Sequence, residues 1–356
     1  MTRTLGLVLL GQCLLHFAWL SHAHAQPPDT RRIVAVTPDQ VRDEDYQYQG
    51  DWWGRAQGGC RLGSIGLQVV ALGNRQFQAR WLEGGLPGAG PVVLPGYVLK
   101  GERRQDELHL ADGSGRQVRL TRSAGLAIDA RGDVWKLERF TRTSPTLGLK
   151  PQPGAVVLFD SSGPSEHLLN VRLAPDGTLL AGAITRQPVS DCFLHLEFRT
   201  PYMPQARGQA RGNSGVYLQR RYEVQILDSF GLDGANNECG ALYRLYKPDL
   251  NMCYPPLAWQ TYDIYFRAAR FDAEGNKIAD AQISVFHNGV GVHYHRAIPS
   301  KTGAGRTEGP EPLPILFQDH GNPVTFRNIW MVPEKSTGEP PVAQIWPRRR
   351  WRLCPW

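Results

Sequence analysis

The segment Phe193-Leu194-His195-Leu196-Glu197-Phe198-Arg199 alternates apolar and polar residues without a break. A period of two is the signature of an extended strand with one face in a core. It directs Leu194, Leu196 and Phe198 inward and sets His195, Glu197 and Arg199 together on the opposite face. Asn213-Ser214-Gly215-Val216-Tyr217-Leu218 and Tyr222-Glu223-Val224-Gln225-Ile226-Leu227-Asp228 continue the pattern, with Gln225 on the face of Glu223. Leu316-Phe317-Gln318-Asp319-His320-Gly321 and Phe326-Arg327-Asn328-Ile329-Trp330 add further ionisable strands. Strands of this kind can floor a polar groove, so Glu197, Glu223, Gln225, His320 and Arg327 are expected to converge on one concave face.

The rest of the chain is written in the same style. Short apolar runs are punctuated by 38 glycines and 27 prolines, which favours all-β structure, and no helical periodicity or internal repeat is evident. Residues 46–140 read as a small β-rich N-terminal domain, with turn signals at Gly73-Asn74 and Asp112-Gly113. Residues 141–153 carry Pro145, Gly148, Pro151 and Pro153 and read as a linker. Residues 154–333 are expected to form an antiparallel two-sheet sandwich or jelly roll, and 334–356 an irregular tail.

The chain opens with Thr2 and Arg3, an apolar run from Leu5 to Leu20, and Ala23-His24-Ala25. This order predicts an export signal over 1–25, leaving Gln26 first in a periplasmic or extracellular protein. The apolar run falls short of the roughly 20 residues that span a bilayer, and no later segment is apolar enough, so no membrane span is expected in the mature chain. The formal charge is +7, but the arginines are scattered except at Arg348-Arg349-Arg350, without the aromatic interleaving of a nucleic-acid surface. A nucleic-acid partner is therefore not expected.

Cleavage would leave Cys60, Cys192, Cys239, Cys253 and Cys354. Oxidising surroundings favour pairing, and Cys239 with Cys253 is the closest pair in sequence, expected to be bridged. Such a bridge would be worth about 3 kcal/mol for a loop of this size. The pairing of the others stays open. No Cys-x-x-Cys spacing points to zinc or redox chemistry.

Among candidate groups, an exposed strand glutamate is most often a solvated surface residue. Glu197 and Glu223 are set apart by their company, Arg199 and Gln225 respectively, which suits a hydrogen-bonding floor for a polyhydroxylated ligand. His320 is the natural proton-transfer group, against the simpler reading of a satisfied histidine in a strand-ending turn. Gln318 shares its face and Asp319 does not. Arg327 could bind an oxyanion or merely pair with a neighbouring carboxylate. His293 and His295 are expected to be an exposed pair rather than a metal site. No Gly-x-Ser-x-Gly elbow, His-Glu-x-x-His or phosphate-binding loop is present.

Several segments in order, Glu197-Phe198-Arg199, Gly212-Asn213-Ser214-Gly215, Tyr222-Glu223-Val224-Gln225, Cys239-Gly240-Ala241, Trp259-Gln260-Thr261-Tyr262-Asp263, His287-Asn288-Gly289-Val290 and Gln318-Asp319-His320-Gly321, resemble the 3-keto-disaccharide hydrolase domain family. The resemblance runs from Ala155 to Val332 and implies a concanavalin A-like lectin/glucanase sandwich. The alternate-residue carboxylates of the sandwich glucanases are missing from Glu223-Val224-Gln225-Ile226-Leu227-Asp228, so hydrolysis by paired carboxylates on one strand is not expected. What the resemblance implies instead is a sugar oxidised at carbon 3, whose ketone acidifies the hydrogen at carbon 2. A base removes it, the carbon 1 substituent is expelled, and water addition completes net hydrolysis. His320 suits the base; Arg327, or a divalent cation held by Glu197 or Glu223, suits the enolate. Asn213, Arg199, Gln225, Gln318 and Trp259 are the expected sugar-binding groups. The alternative is a non-catalytic lectin-like protein of the cell envelope, built on aromatic platforms such as Trp259 or Tyr217 with no perturbed acid or base.

Overall fold

The computed structural model describes residues 33–56, 63–88, 93–160, 162–164 and 166–333. The expected leader and tail, with Cys60 and Cys354, lie outside the described residues. Among those described, no helix is long and apolar enough to cross a membrane.

Eight consecutive antiparallel strands come first: β1 (Gly50–Ala56), β2 (Ser64–Ala71), β3 (Gln76–Glu83), β4 (Val93–Arg104), β5 (Glu107–Ala111), β6 (Gln117–Leu120), β7 (Ala124–Ile128) and β8 (Val134–Phe140). Each pairs with the next, and β8 returns to β1, so the sheet closes into a barrel without free edges. Its interior is filled by alternate residues of the strands, among them Trp52, Leu67, Val69, Phe77, Trp81, Leu99, Leu110, Val118 and Leu137. Sequence alternation indicates the individual strands; the closure depends on a pairing between the first and the last.

The remaining strands are β9 (Val156–Asp160), β10 (Gly163–Pro164), β11 (Leu168–Leu169), β12 (Leu179–Leu180), β13 (Ile184–Thr185), β14 (Cys192–Arg199), β15 (Ser214–Leu218), β16 (Tyr222–Ile226), β17 (Gln260–Arg267), β18 (Arg270–Phe271), β19 (Lys277–Ala279), β20 (Ala281–His287), β21 (Val290–Ile298), β22 (Leu316–Phe317) and β23 (Thr325–Pro333). A large sheet runs β10-β9-β23-β14-β17-β20-β21, with β12 added on β23, and a small sheet runs β11-β13-β22-β15-β16. Their facing sides share one core. Leu194, Leu196, Phe198, Tyr262 and Ile264 come from the large sheet; Val216, Leu218, Tyr222, Val224, Ile226 and Phe317 come from the small one. This is the all-β, antiparallel sandwich expected from the alternation, with a smaller β-rich unit before it.

Barrel and sandwich are joined by buried charge as well as by apolar contact. The Arg142 guanidinium grips Asp51 of β1 at 2.8 and 3.2 Å and donates to the carbonyls of Pro87 and Cys253. Arg211, held by Asp228 at 2.7 Å, reaches the carbonyl of Ala71. Arg80 donates to the carbonyl of Gly231. Removing one partner of a buried ion pair leaves the other charge without water or counter-ion. Arg142→Ala should therefore lower stability to urea by about 3–5 kcal/mol, and a loss below about 1 kcal/mol would show that the grip on Asp51 contributes little.

Candidate active site

The alternation that builds the two sheets also separates the expected site residues. Leu196 and Phe198 point into the shared core, so Glu197 and Arg199 point out of the large sheet. Val224 and Ile226 point into the same core from the other side, so Glu223 and Gln225 point out of the small sheet. The outward faces of two packed sheets are opposite faces of the sandwich. The expected convergence of Glu197, Glu223, Gln225, His320 and Arg327 on one face is therefore wrong, and the groups divide into two clusters.

The cluster on the large sheet is saturated with internal bonds. Glu197, about 1% exposed, accepts from Arg327 Nε at 2.6 Å, Asn328 Nδ2 at 2.9 Å and the Gly148 backbone N–H at 2.6 Å. Arg327, expected as an oxyanion binder, thus neutralises a neighbouring carboxylate, and β14 and β23 set the two residues directly opposite each other. His195 Nδ1 lies 2.6 Å from Asp263 Oδ1, and Thr146 and Thr261 complete the network beneath the 144–149 segment. The Trp259 ring packs against two guanidiniums, Arg327 at 4.0 Å and Arg199 at 4.6 Å. Arg199 in turn pairs with Asp176 at 2.6 Å. Trp259 and Arg199 consequently stand with the large sheet, away from Glu223.

The cluster on the small sheet is built differently. The β15–β16 hairpin sets Tyr217 opposite Glu223 and Gly215 opposite Gln225. Tyr217 donates its hydroxyl to Glu223 Oε2 at 2.6 Å. The Gln225 amide, with its nitrogen turned toward the small sheet, donates to Glu223 Oε1 at 2.8 Å and to the Ser214 carbonyl at 3.1 Å. Both donors are neutral, and no cation among the described residues pairs with the carboxyl. Burial therefore pushes the Glu223 acid up to about 7, against the opposing pull of the Tyr217 hydrogen bond. Gly215 is required here, because a Cβ at that position would lie 2.4 Å from Glu223 Oε1. Asn213 donates to the Gln209 carbonyl at 2.8 Å, and the Tyr243 hydroxyl reaches Gln209 Oε1 at 3.4 Å.

The turn that carries His320 is tied to this same end of the small sheet. Gln318 N–H donates to the Gly215 carbonyl at 2.8 Å, Ser214 Oγ to the Gln318 carbonyl at 2.7 Å, and Asn213 N–H to Asn322 Oδ1 at 2.8 Å. His320 itself is exposed. Asp319 pairs with Arg172 at 2.6 Å and so turns away from the imidazole. Glu223, Gln225, Asn213, Gln318 and the turn of His320 are thus brought together, while Glu197, Arg327, Arg199 and Trp259 are not part of the group.

A divalent cation finds no suitable donor set in either cluster. The Glu197 oxygens are already taken by a guanidinium, an amide and a backbone N–H, and both Glu223 oxygens are met by neutral donors. Among the described residues no three His, Cys, Asp or Glu side chains gather as ligands. The expected exposed pair His293 and His295 is also corrected. Register shifts between β20 and β21 turn His293 inward, where its Nε2 meets the Gly240 carbonyl at 2.8 Å, and leave His295 outside. The expected bridge between Cys239 and Cys253 is not formed, and both are buried as free thiols. In the sequence Tyr217 stands out only as an aromatic platform; the three-residue connection that sets it opposite Glu223 turns on Gln219 and Arg220 at positive φ, without a glycine to announce it.

The raised Glu223 acid ties stability to pH. Its folded value lies above the ordinary 4.5, so its contribution is fully present below about 4.5 and is lost as pH rises through about 7. Glu223→Gln, neutral throughout, should be no more stable than the native chain near pH 5 but more stable near pH 8, by on the order of 1–3 kcal/mol. Thermal melts of both proteins across that range check this; a difference that does not change with pH would mean that the carboxyl is not perturbed by burial.

Residues 157–332 match the family model described as 3-keto-alpha-glucoside-1,2-lyase-like domain. Solved structures of similar chains include three from Parabacteroides distasonis ATCC 8503, each provisionally assigned as a glycosyl hydrolase. The first is 29% identical over 51% of this chain and 84% of its own, with a TM-score of 0.46. The second is 16% identical over 52% and 91%, with a TM-score of 0.33. The third is 20% identical over 50% and 98%, also with a TM-score of 0.33. No curated protein matches the chain. The family match supports a glycoside-cleaving role. With its ordered motifs carried on the sandwich, the 157–332 region of this chain belongs to the 3-keto-alpha-glucoside-1,2-lyase-like family.

Proposed function

We propose that the small-sheet face is the catalytic site of an exported enzyme that cleaves 3-keto-glycosides by elimination across carbons 2 and 1, followed by addition of water. The observation that carries this reading is Glu223, a buried carboxyl held by Tyr217 and Gln225 with no cation paired to it among the described residues. An acid poised near neutrality is matched to proton transfer at the leaving oxygen. His320, exposed on the adjoining turn, takes the carbon 2 proton; the electron pair passes through the enolate and expels the carbon 1 oxygen, which receives the proton of Glu223. Addition of water to the resulting unsaturated ketone gives net hydrolysis. Asn213, Gln225 and Gln318 are the amides that meet the sugar hydroxyls.

This assignment revises the roles expected of Glu197 and Arg327, which serve to hold the 144–149 segment against the large sheet. It also weighs against the lectin-like alternative. A lectin of that kind calls for an aromatic platform without a perturbed acid, whereas the Trp259 ring is packed against arginines and Glu223 is strongly perturbed.

Two substitutions test the proposal. His320→Ala and Glu223→Gln should each lower turnover of a 3-keto-disaccharide by roughly 10²–10⁴-fold while substrate binding changes little. The unoxidised parent disaccharide should not be cleaved, because its carbon 2 hydrogen is too weakly acidic for a histidine. Product analysis with both sugars decides the matter. Near-native turnover in both variants would move the site off the small sheet, and equal cleavage of the parent sugar would rule out elimination.

A further inference from the structure

On the outer wall of the barrel the strands β4, β5 and β6 lie side by side, and their outward residues fall into cross-strand rows. Lys100 stands opposite Ala111, which stands opposite Gln117; Glu102 stands opposite His109, which stands opposite Arg119. Long side chains on the two flanking strands thus rise on either side of shorter ones on β5. Gly101 adds to the depth, because a Cβ there would lie 1.8 Å from the His109 carbonyl oxygen, and its absence lets β4 close down on β5. The result is an open trough of about 380 Å³. It falls at the lower end of the roughly 300–1,000 Å³ of small-ligand sites and is too large for a single bound ion.

The charge of this trough is unbalanced. Lys100, Arg104 and Arg119 line it, and Glu102 is the one acid among its lining residues. Arg104 Nε donates to Glu102 Oε1 at 2.8 Å and Gln76 Nε2 reaches Glu102 Oε2 at 3.5 Å, so that carboxylate is taken up by Arg104. His109 faces Glu107 at 3.3 Å. Lys100 and Arg119 are exposed, and neither has an ion-pair partner among the described residues. Two free cations therefore flank a floor that also offers the amides of Gln76 and Gln117. No Trp, Tyr or Phe lines the trough, so it has no platform on which a nucleobase or a neutral sugar ring could stack. Recognition must come from charge and hydrogen bonding.

We propose that this trough binds an acidic saccharide whose units carry carboxylates, with Lys100 and Arg119 meeting the carboxylates and Gln76 and Gln117 the hydroxyls. An amide offers a hydroxyl both a donor and an acceptor, and an ammonium or guanidinium gives a carboxylate a charge-assisted bond. Because β4 and β6 lie roughly 10 Å apart across β5, the two cations suit carboxylates on separate sugar units rather than one small anion. The choice of a saccharide rests on the glycoside-cleaving role of the sandwich; the demand for negative charge does not. The barrel thus holds an anionic glycan by contacts that take no part in the reaction at Glu223.

Binding is measured by calorimetry on the full chain, with a short oligogalacturonate and with the same oligomer methyl-esterified so that its carboxyls are neutral. The acidic oligomer should bind, less tightly as sodium chloride is raised, and the neutral one should bind at least roughly tenfold more weakly. The double variant Lys100→Gln, Arg119→Gln, altered only at exposed side chains, should lose roughly tenfold in affinity for the acidic oligomer. A second double variant, Arg55→Gln, Lys136→Gln, removes two exposed cations that stand opposite each other elsewhere on the barrel, and it should bind like the native chain. Failure of the acidic oligomer to bind, equal binding of the neutral one, or equal losses in the two double variants would overturn the proposal. So would tighter binding of an oligothymidylate that is lost in the same Lys100→Gln, Arg119→Gln variant, which would make the trough a nucleic-acid site. Glu223→Gln should bind the acidic oligomer unchanged, whether or not it has lost turnover; weakened binding there would place the oligomer on the small sheet instead.

Discussion

A carboxylate that leaves water must be met by donors or give up its charge, and much of this fold is arranged around two answers to that demand. Glu197 is met by a guanidinium, an amide and a backbone N–H, and in return it ties β14, β23 and the 144–149 segment together. Glu223 is met by neutral donors and keeps its proton near neutrality. The first arrangement fixes structure; the second leaves a group able to trade a proton. Two glutamates with similar sequence surroundings are thereby given different work by what stands across from them.

The surroundings of Glu223 show how a reactive group can be kept without a counter-ion. Tyr217 sits opposite it on the hairpin and Gly215 leaves room for the carboxyl to lie over the neighbouring strand. A cation in place of either donor would ionise the acid outright. A purely apolar neighbour would leave both oxygens unsatisfied in a site that water scarcely enters. Neutral hydroxyl and amide donors occupy the middle ground, satisfying geometry while leaving the charge undecided.

The faces of the strands are legible from the chain alone, and the sheets are not. Alternation correctly puts His195, Glu197 and Arg199 on one side of their strand and pairs Glu223 with Gln225, because a period of two fixes side-chain direction. It carries no information about which sheet a strand joins, and that choice sends Glu197 and Glu223 to opposite faces. His293 departs from expectation for a different reason, since the bulges that turn it inward interrupt the alternation itself. The barrel strands are visible as short apolar runs between turns, while their closure rests on a long-range pairing of β1 with β8. Residues 157–332 match a known domain model, in the region where the sequence carries its ordered polar motifs.

The stretch between barrel and sandwich is held at both ends, by Arg142 on Asp51 and by Gly148 on Glu197. It is a strap without slack. These two contacts set where the connector leaves the barrel and where it meets the large sheet, so its path is fixed by buried charge rather than by its own sequence of prolines and glycines.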